Sequence, residues 1–167
     1  MLKVTIDTNV IINEKTRELV AQIKQLTEKG LIDIAVTTRV VADKDQDTKK
    51  GRKSEHLKEF DHYPKVGTVF RLDFSRLNSG DYLVGDEHVQ VSQQIEEFLF
   101  GKISMDDKRA HNKIADVDHL VGHYFAKRDV FITQDDRMWR ERNVLREQLG
   151  IVVEKPQEFL SRFPECR

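Results

Sequence analysis

Cysteine is nearly absent from this chain. Cys166 stands alone among 167 residues, so no internal disulfide can staple the fold, and a reducing compartment is expected. Proline occurs three times and the eight glycines are scattered, which excludes a long Pro/Gly-rich linker. There is no excess of positive charge: the formal net charge is -1, so any footprint for nucleic acid must be local rather than global. Apolar runs long enough to cross a bilayer are missing, and so is an amino-terminal secretion signal. No Gly-x-Ser-x-Gly elbow and no glycine-rich phosphate loop occurs, which removes support for hydrolase-type serine chemistry and for nucleoside-triphosphate binding. The expectation is a soluble, cytoplasmic protein, and the length suits one domain with a real core.

Charge itself is abundant, at 34% of residues against an ordinary quarter. The informative stretch is the first, Leu2-Lys3-Val4-Thr5-Ile6-Asp7-Thr8-Asn9. Apolar residues alternate with polar ones and predict a strand that stops at an acid. An amphipathic helix is expected over Glu14 to Lys29, with Gly30 as its C′ residue. A buried-type strand follows over Leu31 to Val36, and Thr37-Thr38 offer an N-cap for a second helix. Strand, helix, strand, helix implies right-handed crossovers and a parallel sheet. The segment from Lys44 to about residue 60 is polar and basic, and reads as a solvated extension or arm. Beyond it, Val66 to Phe74 reads as a strand, Asn78 to Asp81 as a turn and Glu87 to Phe100 as a helix. Ser104 and Asp107 resemble a capping box opening another helical region that runs to Lys127. Asp129 to Thr133 reads as a strand, then a helix ending at Gly150, a last strand over Ile151 to Val153, and a terminal helix from Pro156.

Acids recur at the predicted strand ends. Asp7 closes the first strand, Asp135 follows the strand ending Phe131-Ile132-Thr133, and Asp43 lies about a helical turn or so past the second strand. In an open α/β sheet, ligands bind outside the carboxyl ends of the strands. At ~100° per residue, Asp118 lies about 40° from Ile114, within the apolar arc of Val117, Val121 and Phe125. A carboxylate on a buried stripe requires a partner, because desolvating its charge costs several kcal/mol. Asp116 points to the other side of that helix and reaches the site if the helix begins there. Plainer readings exist for each: Asp118 pairing a buried Arg or Lys, Asp43 solvated, Asp135-Asp136 capping a helix. Gathered together, such carboxylates repel by about 1 kcal/mol per pair at ~4 Å in water and ~4 at an effective dielectric of 20. They need a cation, and an all-oxygen site suits Mg²⁺ or Mn²⁺ and phosphodiester hydrolysis. The same repulsion predicts that Asp118→Asn raises the stability of the metal-free protein.

The pieces Ile6-Asp7-Thr8-Asn9, an acid after the second strand, an Asp opening a helix with Val121 and Phe125 behind it, and Ile132-Thr133-Gln134-Asp135 resemble the PIN-domain family. The resemblance implies a single three-layer α/β/α domain with a mainly parallel sheet, and metal-dependent endonucleolytic cleavage of single-stranded RNA to a 5′-phosphate and a 3′-hydroxyl. It implies Asp7, Asp118 and Asp135 as metal ligands, with Asp43 and Asp116 as further catalytic acids. Asn9 and Thr133 would orient the carboxylates, and Asp136 would be an outer ligand. Two departures stand out. Asp43 occupies the place where the family usually carries Glu, and the stretch from Lys44 to Phe100 is longer than in the compact toxin members. An inhibitory partner protein and a homodimer are further implications of toxin-like relatives.

For RNA contact the basic run Lys49, Lys50, Arg52 and Lys53 stands out, together with Arg137, Arg140 and Arg142 after the Asp135 loop. Tyr82, Tyr124 and Trp139 are stacking candidates, with core packing as the plainer role. His119 and His123 share a helical face, but no third ligand stands at a metal-binding spacing, so a surface or hydrogen-bonded role is expected. Two rival functions remain: a PIN-like binding module with a weakened or inactive site, and a structure-specific DNA nuclease.

Overall fold

A computed structural model describes residues 1–40, 59–68 and 85–164. The basic run at 49–53, Asp43, Tyr82 and Cys166 lie outside the described residues. So do the turn expected over Asn78 to Asp81 and most of the strand expected over Val66 to Phe74.

Five strands form one sheet: β1 (Leu2–Ile6), β2 (Ile32–Thr37), β3 (Lys65–Val66), β4 (Val130–Ile132) and β5 (Val153–Glu154), in the order β3-β2-β1-β4-β5. Every pairing is parallel. Val4 faces Ile34 on one side and Val130 on the other, which makes β1 the central strand. Helices α1 (Thr8–Ile12), α2 (Arg17–Glu28), α3 (Asp86–Phe100), α4 (Ala110–Phe125), α5 (Asp136–Arg140), α6 (Arg142–Leu149) and α7 (Pro156–Leu160) complete the described elements, with single 3₁₀ turns at Glu14–Thr16 and Glu59–His62.

The two faces of the sheet are buried separately, as a parallel sheet requires. Val4, Ile6, Val130 and Ile132 pack with Val20, Ile23 and Leu26 of α2 and Phe159 of α7. Phe131, between two residues of that first face, turns the other way and joins Val91, Ile95 and Leu99 of α3 with Val117, Leu120 and Val121 of α4. Strand side chains alternate with period two, so a three-residue strand feeds both cores. The result is the helix–sheet–helix layering expected from the alternation of elements. The chain winds outward from β1 to β2 and β3, then returns to lay β4 on the opposite side of β1. The strand order therefore reverses between β1 and β4, the switch point at whose carboxyl edge open α/β sheets bind ligands.

Some boundaries differ from expectation. Ser104 and Asp107 do not open α4. The Ser104 Oγ accepts from Asp106 N–H and the Asp107 carboxylate from Arg109 N–H, closing a turn ahead of a helix that begins at Ala110. The helix expected up to Gly150 breaks at Glu141 into α5 and α6. The third strand starts at Lys65 and spans two residues, and the last lies two residues later than expected, at Val153–Glu154.

Candidate active site

Asp7 is the first residue past β1, and its side chain is 3% exposed. Thr133, first past β4 and wholly buried, donates its hydroxyl to Asp7 Oδ2 at 2.6 Å. The same Thr133 oxygen accepts the backbone N–H of Asp135 at 2.9 Å and the Asn9 amide at 3.4 Å. With two donors aimed at it, that hydroxyl has its own proton left for the carboxylate. Asn9 closes the loop by accepting from Gln134 N–H at 3.1 Å. The two strand ends flanking the switch point are thus laced together. Thr133 bonds Asp7 directly, and the Asn9 side chain reaches it through Thr133.

Asp135 accepts through one oxygen, Oδ1, from the N–H groups of Arg137 and Met138, both at 2.8 Å. It is the N-cap of α5, the plainer role read for it, and its Oδ2 lies outside that cap. Asp136 is turned outward, 87% exposed, and paired at 2.7 Å with Lys155, which also donates to the Gln134 carbonyl at 2.7 Å. The Lys155 ammonium holds the Asp136 carboxyl below the usual range. Burial pushes the Asp7 carboxyl above its usual range; neighbouring His119 and the Thr133 bond oppose the rise, and Asp135 adds to it.

Helix α4 comes down onto the same edge. His119 is 4% exposed, with Nδ1 at 2.5 Å from the Thr37 hydroxyl and Nε2 at 3.5 Å from that of Thr8. One turn later, His123 Nδ1 lies 2.9 Å from the Thr5 hydroxyl. The first pair of threonines stands at the carboxyl ends of β1 and β2, and Thr5 within β1, so α4 runs antiparallel to the strands. Both histidines are interior and hydrogen-bonded, not surface groups. Burial, then the charge of Arg128, pushes His123 down to about 3, so it is neutral at pH 7.

Asp118 is wholly buried, as its helical phase predicts. Its Oδ2 lies 3.6 Å from the guanidinium of Arg39, itself 2% exposed, just past β2. A protein cation is therefore one partner of this buried carboxylate. Among the described residues, no three acidic, histidine or cysteine side chains converge closely enough to hold a metal ion. Asp116 is half-buried in the second turn of α4, not at its start. It stands three residues before His119 and so on the same helical face, toward the carboxyl edge.

Arg137 is exposed beside Asp135, with its guanidinium over the Phe100 ring at 4.8 Å, and Arg142 lies over Trp139 at 3.9 Å. Arg140, also exposed, donates to the Asp136 carbonyl within α5. Sequence reasoning missed Arg39 and the placement of His119. No periodicity marks either: each acquires its neighbours only when β2 and α4 meet. No helix among the described residues is long and apolar enough to cross a membrane. No family model and no curated protein matches the chain.

Proposed function

We propose that this chain is a divalent-metal-dependent endoribonuclease acting on single-stranded RNA, as its resemblance to the PIN-domain family implies. The observation that carries the reading is the burial of Asp7 next to Asp135 at the switch point of a parallel sheet. Burial raises the Asp7 carboxyl and the Asp135 charge adds to the rise; a divalent ion beside both would favour their charged forms. Mg²⁺ keeps several waters and needs only one or two protein carboxylates together with substrate phosphates. Asp7 and Asp135 fit that donor set, while Asp118 stands 3.6 Å from Arg39. Bound there, the ion would supply an activated water and charge neutralisation at the leaving oxygen.

The protein's own contribution is orientation. Thr133 holds Oδ2 of Asp7 in one direction, Asn9 ties that threonine to the Gln134 backbone, and Lys155 steadies the loop carrying Asp135. The resemblance also implies Asp116 and Asp43 as further catalytic acids.

The test is a Mn²⁺ titration of the wild type and Asp7→Asn, followed by heat release and by cleavage of a labelled single-stranded RNA. The expected result is binding and cleavage that both collapse in the variant. Metal binding without cleavage of single-stranded RNA, duplex RNA or flap DNA would favour the binding-module reading, for which the Asp118–Arg39 pair already speaks. Cleavage confined to flap DNA would establish the DNA nuclease instead. No metal binding would make the acids structural.

A further inference from the structure

A strip of cationic and aromatic side chains leads away from the acid pair, and it is built across three helices. Arg137 begins it. Its backbone N–H donates to Asp135, its guanidinium lies over Phe100 at 4.8 Å, and one of its terminal nitrogens is 3.4 Å from the Leu99 carbonyl. Phe100 ends α3 and is only half-buried. On the same ring lies the ammonium of Lys113, at 5.5 Å, from the first turn of α4; Asp107 holds that ammonium at 2.7 Å.

Two cations thus share one aromatic ring, each contact worth about 0.5–1 kcal/mol at an exposed site, and Asp107 offsets the repulsion between them. Cations held by an aromatic backing lose less side-chain entropy when they take a phosphate. Unstacked bases of single strands are read by aromatic rings and by guanidinium planes, whereas a duplex keeps those faces covered.

We propose that Arg137, Phe100 and Lys113 form a clamp that holds single-stranded RNA on the carboxyl edge beside Asp7 and Asp135. The two cations take backbone phosphates on one side of the scissile bond, and the ring with its guanidinium supports a base. This proposal rests on the nuclease reading for its substrate class but is tested without catalysis.

A short labelled single-stranded RNA is titrated with the full chain in EDTA, by fluorescence anisotropy over a series of potassium chloride concentrations. Arg137→Gln and Lys113→Gln each weaken binding and lower the slope of log affinity against log salt by about 0.7, the loss of one phosphate contact. Phe100→Leu, which keeps an apolar side chain, weakens binding by roughly fivefold or more through lost stacking, with a cooperative thermal melt confirming that the variant is folded at the titration temperature. Lys29→Gln, an exposed lysine at the other edge of the sheet, leaves both quantities unchanged. Slopes equal to wild type in both glutamine variants overturn the clamp, as does a wild type that fails to bind. Duplex RNA competing as well as the single strand overturns it too. The nuclease reading stands or falls separately, on cleavage in the Asp7→Asn comparison.

Discussion

At the scale of single residues, the direction of one proton organises the candidate site. Thr133 accepts from the Asp135 backbone N–H and from Asn9 and donates to Asp7, so its hydroxyl ties the Asp7 carboxylate to the backbone that carries Asp135. Asp118 stands in contrast. Its expected role as a metal ligand, and the expected gain in stability of Asp118→Asn, both assumed a carboxylate repelled by other carboxylates. Arg39 at 3.6 Å reverses the sign. Removing one partner of a buried ion pair strands the other, at a cost of about 3–5 kcal/mol. Asp118→Asn is therefore expected to lower the stability of the metal-free protein by roughly 3 kcal/mol and to leave its response to Mn²⁺ intact, as thermal melts with and without the ion would show. A variant that melts higher without metal would return Asp118 to the acid cluster.

At the scale of elements, α4 decides how deep the site lies. Gly122 is where it touches the sheet: a Cβ there would sit 2.9 Å from the Gly67 carbonyl oxygen and 3.1 Å from Thr37 Cγ2. The first neighbour is backbone and cannot swing away. Ala gains about 1 kcal/mol over Gly in helix propensity, but overpacking costs typically 1–3 kcal/mol. Gly122→Ala should therefore be destabilising on balance, and by pushing α4 outward it should lengthen the His119–Thr37 contact. Urea unfolding measures the first effect, and the chemical shift of the His119 ring the second. A more stable variant would mean that α4 tolerates the shift.

At the scale of the whole molecule, acid should act through a histidine far from the acids. Unfolded, His123 takes a proton near pH 6.5; folded, it does so only near 3. Between those values the unfolded chain binds more protons, so stability falls as pH falls. Asp7, raised by burial, works in the opposite direction, regaining stability as pH drops through its folded value. Its window begins at the ordinary carboxylate value and runs upward from there, against the histidine's. Urea midpoints measured from pH 7 down to 4 should decline, and His123→Gln, which keeps a partner for Thr5, should flatten the decline. An identical slope in the variant would assign the acid limb to other groups.

The α/β class, the parallel sheet and the acids at two strand ends were legible in the sequence because they depend on local quantities. Period-two alternation makes β1, the 3.6-residue repeat makes α2 and α4, Asp7 directly follows β1, and Asp135 follows β4 by three residues. Gly30 and Gly150 mark helix ends because both need the positive φ they adopt, 71° and 70°. Only the tertiary structure decided which acids keep company. Helical phase put Asp118 on the buried face correctly, but whether a carboxylate or a guanidinium awaited it depended on β2 and α4 meeting across some eighty intervening residues. The same holds for His119 between Thr8 and Thr37, and for Phe100 between Arg137 and Lys113. A side chain's own period sets the face it occupies, and the crossing of distant elements sets the charge it meets there.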